Sequence, residues 1–540
     1  EIKFDRIMSS YFHYPKTNVS SFLSSVPGWI VNKRDVKKIL IEEFSFHFDQ
    51  KLSPEIIHFS DHHLSHAASA FFPSPFNEAA IMCIDGVGEW ATTSIWVGKN
   101  NSISSQWELR FPHSLGLLYS AFTFYCGFKV DSGEYKLMGL APYGEPQYTQ
   151  KIYNHLLDLK ADGTFRLNMD YFDYVVGNCM ITPKFEELFG KPARKSESQI
   201  TQFYMDVAAS IQKVTEDIVL KLAKTVRKET GQRNLCLAGG VALNCVANGI
   251  LSRHKIFDRI WVQPAAGDAG CALGAAYKGW YMDMQQSRIA LADDSMSGGY
   301  LGTSFSESEI TTCLKKYDAS YKVVDDKDLV AKVASLIAQG KVIGWFNGRM
   351  EFGPRALGSR SIIGDPRNET MQSVMNLKVK NRESFRPFAP MVLEEHAAEW
   401  FDINQESPYM LLVAPVLEKR RRLLPDSHVK GLGKINQCRS EIPAVTHVDY
   451  SARVQTVGKN NQSLIRPLLE AFYQQTNCPV LINTSFNVRG EPIVQAPEDA
   501  YICFMRTGID VLVLGNHLLL KENQPAWEEV EDWKTTFQLD

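Results

Sequence analysis

The 540-residue chain has no Cys-x-x-Cys pair among its ten cysteines, no apolar run of about eighteen residues, and no charged-then-apolar leader ending in small residues. Thiols scattered as singles, such as Cys83, Cys126, Cys179, Cys236, Cys245 and Cys271, suit buried free cysteines and argue against disulfides or a zinc knuckle. Without a membrane span or leader, the expected location is the cytoplasm. Net charge is also missing: Lys and Arg total 58 against 61 Asp and Glu, leaving -3. That balance gives no global attraction for nucleic acid or an anionic membrane, so any anionic ligand must be gripped locally. There is no low-complexity tract and no repeat. At this length the chain exceeds one ordinary core, and two to four domains are expected.

Three catalytic signatures are absent as well. The Gly-Lys-Ser/Thr ending of a P-loop, the Gly-x-Gly-x-x-Gly fingerprint, and the glutamate of His-Glu-x-x-His are all missing. What stands instead is Asp61-His62-His63-Leu64-Ser65-His66, followed at Asp85-Gly86-Val87-Gly88 by a carboxylate in a glycine turn. His62 and His66, four apart, face one side of a helix, although such a pair alone is more often surface or core than ligand. A third donor is needed, and Asp85 and Asp268 are the candidates. Two imidazoles with carboxylates suit a borderline ion such as iron(II), manganese or zinc; thiolate coordination is not expected.

Strand-like runs at Ala80–Asp85, Thr93–Val97, Leu235–Ala238 and Ile260–Gln263 alternate with amphipathic stretches, notably Ile200–Lys228, which predicts an α/β core. A second series comes after them: helix Asp328–Ala338, strand Val342–Phe346, strands near Met410–Val416 and Val454–Val457, and helix Arg466–Thr476. The Gly-, Ser- and Asp-rich connection Leu291–Ser306 places the domain boundary there, giving 1–305 and 306–540. Lys419-Arg420-Arg421-Arg422 reads as a solvated face before Pro425. Tyr119, Phe122 and Tyr125 read as core, with acceptor contacts as the alternative.

Several glycine loops carry polar groups. Gly239-Gly240-Val241-Ala242-Leu243-Asn244 joins a strand to a helix, where backbone N–H groups can approach an anion or nucleoside, and Gly267-Asp268 repeats the device. Glu134 and Lys136 form a charged pair in the segment Ser132–Gly144, either as ligand groups or as a salt bridge. Arg355 and Arg360 lie in Asn347–Ser361, followed by Lys378, Lys380, Arg382 and Arg386; guanidinium groups among glycines suggest a phosphate cradle. Asn483-Thr484-Ser485-Phe486-Asn487 follows an apolar strand and offers hydroxyls and amides to a small carbonyl group.

Together these stretches resemble the O-carbamoyltransferases of the nodulation-factor and tobramycin type, in family order over most of the chain. The resemblance implies an ASKHA-type (actin/Hsp70-like) domain followed by a smaller YrdC-like domain. It implies that carbamoyl phosphate and ATP with Mg2+ give carbamoyl-adenylate and pyrophosphate in the second domain. The first domain then passes the carbamoyl group to a hydroxyl of a small-molecule secondary metabolite and releases AMP. By motif match, His62, His66, Asp85 and Asp268 are the implied metal ligands, with iron(II) expected. Arg355, Lys380, Arg386, Arg453 and Ser485 are implied for carbamoyl phosphate or adenylate. Gly86, Gly88, Glu134, Lys136, Gly239, Gly240, Asn244, Gly267, Arg360, Asn483 and Asn487 are implied around the nucleotide, with Gly239, Gly240 and Asn244 against adenosine. His63 or Glu134 is the candidate base. The rival expectation is a tRNA-modifying threonylcarbamoyl-type transferase. No nucleic-acid or membrane partner is expected, and a homodimer is an option. The family's N-terminal β-hairpin has no counterpart before Glu1-Ile2-Lys3-Phe4-Asp5-Arg6, which predicts an unpaired sheet edge and an incomplete nucleotide site.

Overall fold

The computed structural model describes residues 2–13, 36–50, 52–424 and 429–527. The first sheet takes β1 (Glu78–Ile84), β2 (Ala91–Lys99), β3 (Ser102–Arg110), β6 (Asn234–Ala238) and β7 (Arg259–Val262) in the order β3-β2-β1-β6-β7. A separate small hairpin pairs β4 (Leu157–Leu159) with β5 (Phe165–Leu167). Strand β1 is buried after its first residue, which is why it reads as an unbroken apolar run rather than an alternation. It pairs antiparallel with β2 and parallel with β6, and β6 pairs parallel with β7 through the crossover helix Cys245–Arg253. The long helix Gln202–Thr230 ends at Gly231, whose φ of 67° supplies the left-handed cap.

The outer edge of β7 carries a side chain where a further strand would pair. There the Gln405 side chain stands in for a strand: its Oε1 accepts from Ile260 N at 3.2 Å and its Nε2 donates to Ile260 O at 2.9 Å.

The second sheet holds nine strands: β8 (Lys322–Val323), β9 (Ile343–Phe346), β10 (Arg360–Gly364), β11 (Ala389–Leu393), β12 (Leu412–Pro415), β13 (Ser451–Val457), β14 (Val480–Ser485), β15 (Val511–Leu514) and β16 (His517–Leu520). Their order is β12-β13-β11-β14-β10-β9-β15-β16-β8. Core membership changes between Tyr300, packed on the first core, and Phe305, packed on the second. The two bodies interlock. Gly249 in the Cys245–Arg253 helix lies so close to β12 that a Cβ would stand 1.9 Å from Val413 O, and Arg253 donates to the same carbonyl at 2.8 Å.

Tyr119, Phe122 and Tyr125 are core, at 6%, 0% and 0% exposure, which decides against acceptor contacts. The run Lys419–Arg422 is solvated at Lys419 and Arg422, which are exposed, and more engaged at the two arginines between them. Arg420 lies 4.0 Å over Trp400 and pairs with Glu441, Arg421 lies over Tyr450, and Arg422 pairs with Glu369, so aromatic faces and carboxylates occupy the arginines. Pro425, after that run, lies outside the described residues. All ten cysteines are free thiols. Among the described residues no helix is long and apolar enough to cross a membrane.

Candidate active site

The helix His62–Phe71 presents His62 and His66 on one face, with their Nε2 atoms 3.1 Å apart. The Asp61 N-cap makes no side-chain bond; the Glu89 carboxylate accepts from His62 N at 3.2 Å instead, where the helix end favours negative charge. Asp85, just past β1, sets Oδ2 at 2.9 Å from His62 Nε2 and 3.4 Å from His66 Nε2. Its Oδ1 accepts from Gly240 N at 2.9 Å. Asp268, at the start of the helix Ala269–Tyr277, sets Oδ1 at 3.5 Å and 3.6 Å from the same two nitrogens.

The glycines permit this approach. Gly239 has φ of 87°, and a Cβ there would lie 2.2 Å from Ile84 O; one on Gly88 would lie 2.8 Å from the His63 ring. Gly86 accepts from Ser114 through its carbonyl, and Gly267 immediately precedes Asp268. Arg6 adds a restraint, donating from one guanidinium nitrogen to Gly88 O at 2.5 Å and Glu89 O at 3.0 Å.

Electrostatics mark the cluster as a place for positive charge. Burial opposes a charged His66, but hydrogen bonds to Asp268 and Asp85 outweigh it and push its pKa up to about 11. Burial likewise opposes a charged Asp85, yet its contacts with His62 and His66 hold it far below the usual carboxylate range. The donor set fits a divalent ion. Ligands about 2.1 Å from an ion stand about 3.0 Å apart at right angles and about 3.4 Å apart in a tetrahedron, and the observed separations run from 2.9 to 3.6 Å. One further donor arrives that was not expected: Cys271 Sγ lies with His62, His66 and Asp268 in a group whose atoms are all within 4.8 Å of one another.

A second centre is a cavity of about 550 Å3 between the two bodies. Its cations are Lys129, Arg355, Lys380, Arg382, Arg386, Arg453 and Arg489. Lys380 follows a π-helical turn, Met375–Val379, and its Nζ donates to Ser485 O and Asn487 O, both at 2.7 Å. Asn376 in that turn accepts from Arg382 at 2.7 Å and donates to Arg386 O at 3.1 Å, fixing the loop between them. Glu383 is the nearby counter-charge, 3.2 Å from Arg489 and 3.5 Å from Arg386. Burial, then the neighbouring Arg453, pushes the Arg355 pKa down to about 9, and Arg355 Nε is buried with no hydrogen-bond partner. Burial, reinforced by Arg382 and Arg386, holds Lys380 well below the usual lysine range. Arg355, with an unpartnered buried Nε, is destabilised until an anion arrives, whereas Lys380 is held by neighbouring oxygens.

Some expected binding residues are scaffold instead. Arg360 is 0% exposed, lies 3.5 Å over the Phe346 ring and donates to Gly348 O and Ser359 O, closing the loop that carries Arg355. Asn483 donates to Ala356 O and Gln455, and Asn244 caps the Cys245–Arg253 helix at Ala247 N while pairing with Gln212. Asn483 Oδ1 and Arg360 Nε keep no hydrogen-bond partner, so these groups are only partly bonded inside the protein. Glu134 accepts from Ser120 and from Asp131 N, and Lys136 pairs with Glu383 across the bodies rather than with Glu134. His63 donates or accepts at Ser94, and burial pushes its pKa down to about 4, so its ring is neutral. Arg489 and Cys271 were missed. The first is two residues past Asn487, before Gly490, and the second is three past Asp268.

One short segment joins the centres: Gly240 holds Asp85, and Cys245, five residues on, lines the cavity. Five residues span at most about 18 Å.

A histidine–aspartate donor cluster and a cationic cavity lie together in one two-bodied α/β chain, the arrangement of a group-transfer enzyme. The chain belongs to the carbamoyltransferase family: models of the carbamoyltransferase N-terminus and C-terminus match residues 2–277 and 334–521. It is a carbamoyltransferase, built on one five-stranded and one nine-stranded sheet. Among its relatives, an uncharacterized protein of Synechocystis sp. is 56% identical over 100% of this chain and 88% of its own length. Nodulation protein NolNO of Sinorhizobium fredii is 38% identical over 92% of this chain and 68% of its own. Nodulation protein NolO of Bradyrhizobium diazoefficiens is 37% identical over 88% and 80%.

Proposed function

We propose that the chain is an ATP-dependent O-carbamoyltransferase acting in two half-reactions. In the cationic cavity, carbamoyl phosphate, ATP and water give carbamoyl-adenylate, phosphate and pyrophosphate. At the histidine–aspartate cluster the carbamoyl group passes to the hydroxyl of a small-molecule acceptor, and AMP leaves. The observation that carries this reading is the set of seven lysine and arginine cations in one cavity, against the carboxylates Asp449 and Glu491, joined to the metal donors by one short segment.

Each centre contributes different chemistry. Arg355 and Arg453, half-buried neighbours lining the cavity, offer donors to phosphate oxygens. Lys380 is aimed by two backbone carbonyls, so its charge is placed before substrate arrives. His62, His66, Asp85 and Asp268 would hold the ion, with iron(II), manganese and zinc all suited to the donors. A bound divalent ion supplies Lewis-acid polarisation and charge for the adenylate phosphate. Asp268, 77% exposed at its side chain, leaves the outer side of the cluster open to an acceptor.

The test separates the halves. His66→Ala protein, given carbamoyl phosphate and ATP, should release pyrophosphate at near the wild-type rate while carbamoyl transfer to an acceptor hydroxyl falls at least about 100-fold. Wild-type protein that releases no pyrophosphate from these substrates, and carbamoylates no sugar or metabolite hydroxyl, would overturn the reading.

A further inference from the structure

Two helices bring the metal donors together, and each carries two candidates at helical spacing. The His62–Phe71 helix offers His62 and His66; the Ala269–Tyr277 helix offers Asp268 at its cap and Cys271 three residues later on the same face. The helices touch backbone to backbone. A Cβ on Gly274, one turn beyond Cys271, would lie 1.8 Å from Ser65 O and 3.0 Å from Ser69 N. That contact fixes the face of the second helix and turns Cys271 toward the histidines, with its Sγ 3.9 Å from His62 O.

We propose that Cys271 is a thiolate ligand of the metal centre, adding sulfur to the two imidazoles and the two aspartate carboxylates. This rests on the metal-centre reading above and narrows it. The donor atoms of His62, His66, Asp268 and Cys271 lie within 4.8 Å of one another. With metal–sulfur and metal–nitrogen distances of about 2.3 and 2.1 Å, donors this close together can share one ion. Outside the donor group, the thiol meets His62 O at 3.9 Å, a long and weak contact. On binding, the thiol loses its proton to solvent and the sulfur lone pair forms the bond to the ion. A soft donor ranks zinc, iron(II) and cobalt(II) above manganese and magnesium, so the centre is selected for borderline ions.

Cobalt(II) reports sulfur ligation directly. Wild-type protein loaded with cobalt(II) should show an intense near-ultraviolet sulfur-to-cobalt band. Cys271→Ser should still bind cobalt(II) yet lack the band, and Cys179→Ser, at an exposed thiol, should keep it. The preference for zinc over manganese should fall at least about tenfold in Cys271→Ser, since lost supporting contacts alone cost that much in metal affinity. X-ray absorption of zinc-loaded wild type needs no variant and should show a sulfur shell at about 2.3 Å. A cobalt complex without the band, a band that survives in Cys271→Ser, or a zinc spectrum with only nitrogen and oxygen neighbours would overturn the proposal and leave the metal centre standing. Wild type that binds no divalent ion would overturn both.

Discussion

Single side chains here divide into those that wait for a ligand and those that hold others. Arg355 belongs to the first kind: it is half-buried beside Arg453 and its buried Nε has no partner. Such a charge destabilises the free protein, so Arg355→Met should leave the melting temperature unchanged or raise stability by roughly 1–4 kcal/mol. The same change should lower pyrophosphate release at least about 100-fold. Thermal unfolding and a pyrophosphate assay on one preparation check both, and a lower melting temperature would contradict the picture of an unsatisfied cation. His62, His66, Asp85 and Asp268 could be read from the chain because each is an ionisable group in a glycine-rich or helical setting with few other uses. Asn244, Arg360 and Asn483 could not be sorted, because a scaffold amide and a ligand-binding amide look alike in a glycine loop. Cys271 and Arg489 become neighbours of their sites only through tertiary packing.

At the scale of elements, the metal site depends on how closely two helices meet. Gly274→Ala must push the Ala269–Tyr277 helix away from Ser65, which should cost about 1–3 kcal/mol in stability. Because the histidines and Asp268 ride on different helices, metal affinity should drop about tenfold as well. Calorimetric metal titration beside a denaturant melt tests this; a loss of stability with unchanged affinity would mean that the helix contact does not set the donor spacing. Long, strongly periodic elements were clear from sequence: the predicted Ile200–Lys228 helix is Gln202–Thr230, and the predicted Val342–Phe346 strand is Ile343–Phe346. The π-helical turn before Lys380 was not, since it preserves helical spacing while shifting the register of the residues beyond it.

Across the whole molecule, the cationic cavity is completed from both bodies. Lys136, with a side chain 0% exposed in the first body, lies 3.4 Å from Glu383 in the second. Lys136→Met should cost about 1–3 kcal/mol, less than a fully broken buried pair because Glu383 keeps Arg489 and Arg386. It should also slow pyrophosphate release, since Glu383 shares a loop with Lys380 and Arg386, while metal affinity stays at the wild-type value. A pyrophosphate rate equal to wild type would show that the two bodies are electrostatically independent.

Gln405 carries the interdependence further. A glutamine amide has one donor and one acceptor in the arrangement of a peptide group, and here it completes the β7 edge from the opposite body. If the two bodies were produced separately, the first would emerge with an open strand edge, the usual template for self-association into insoluble material. Exchange of the second body with that of a relative therefore has to preserve one amide at the seam as well as the residues of the reaction.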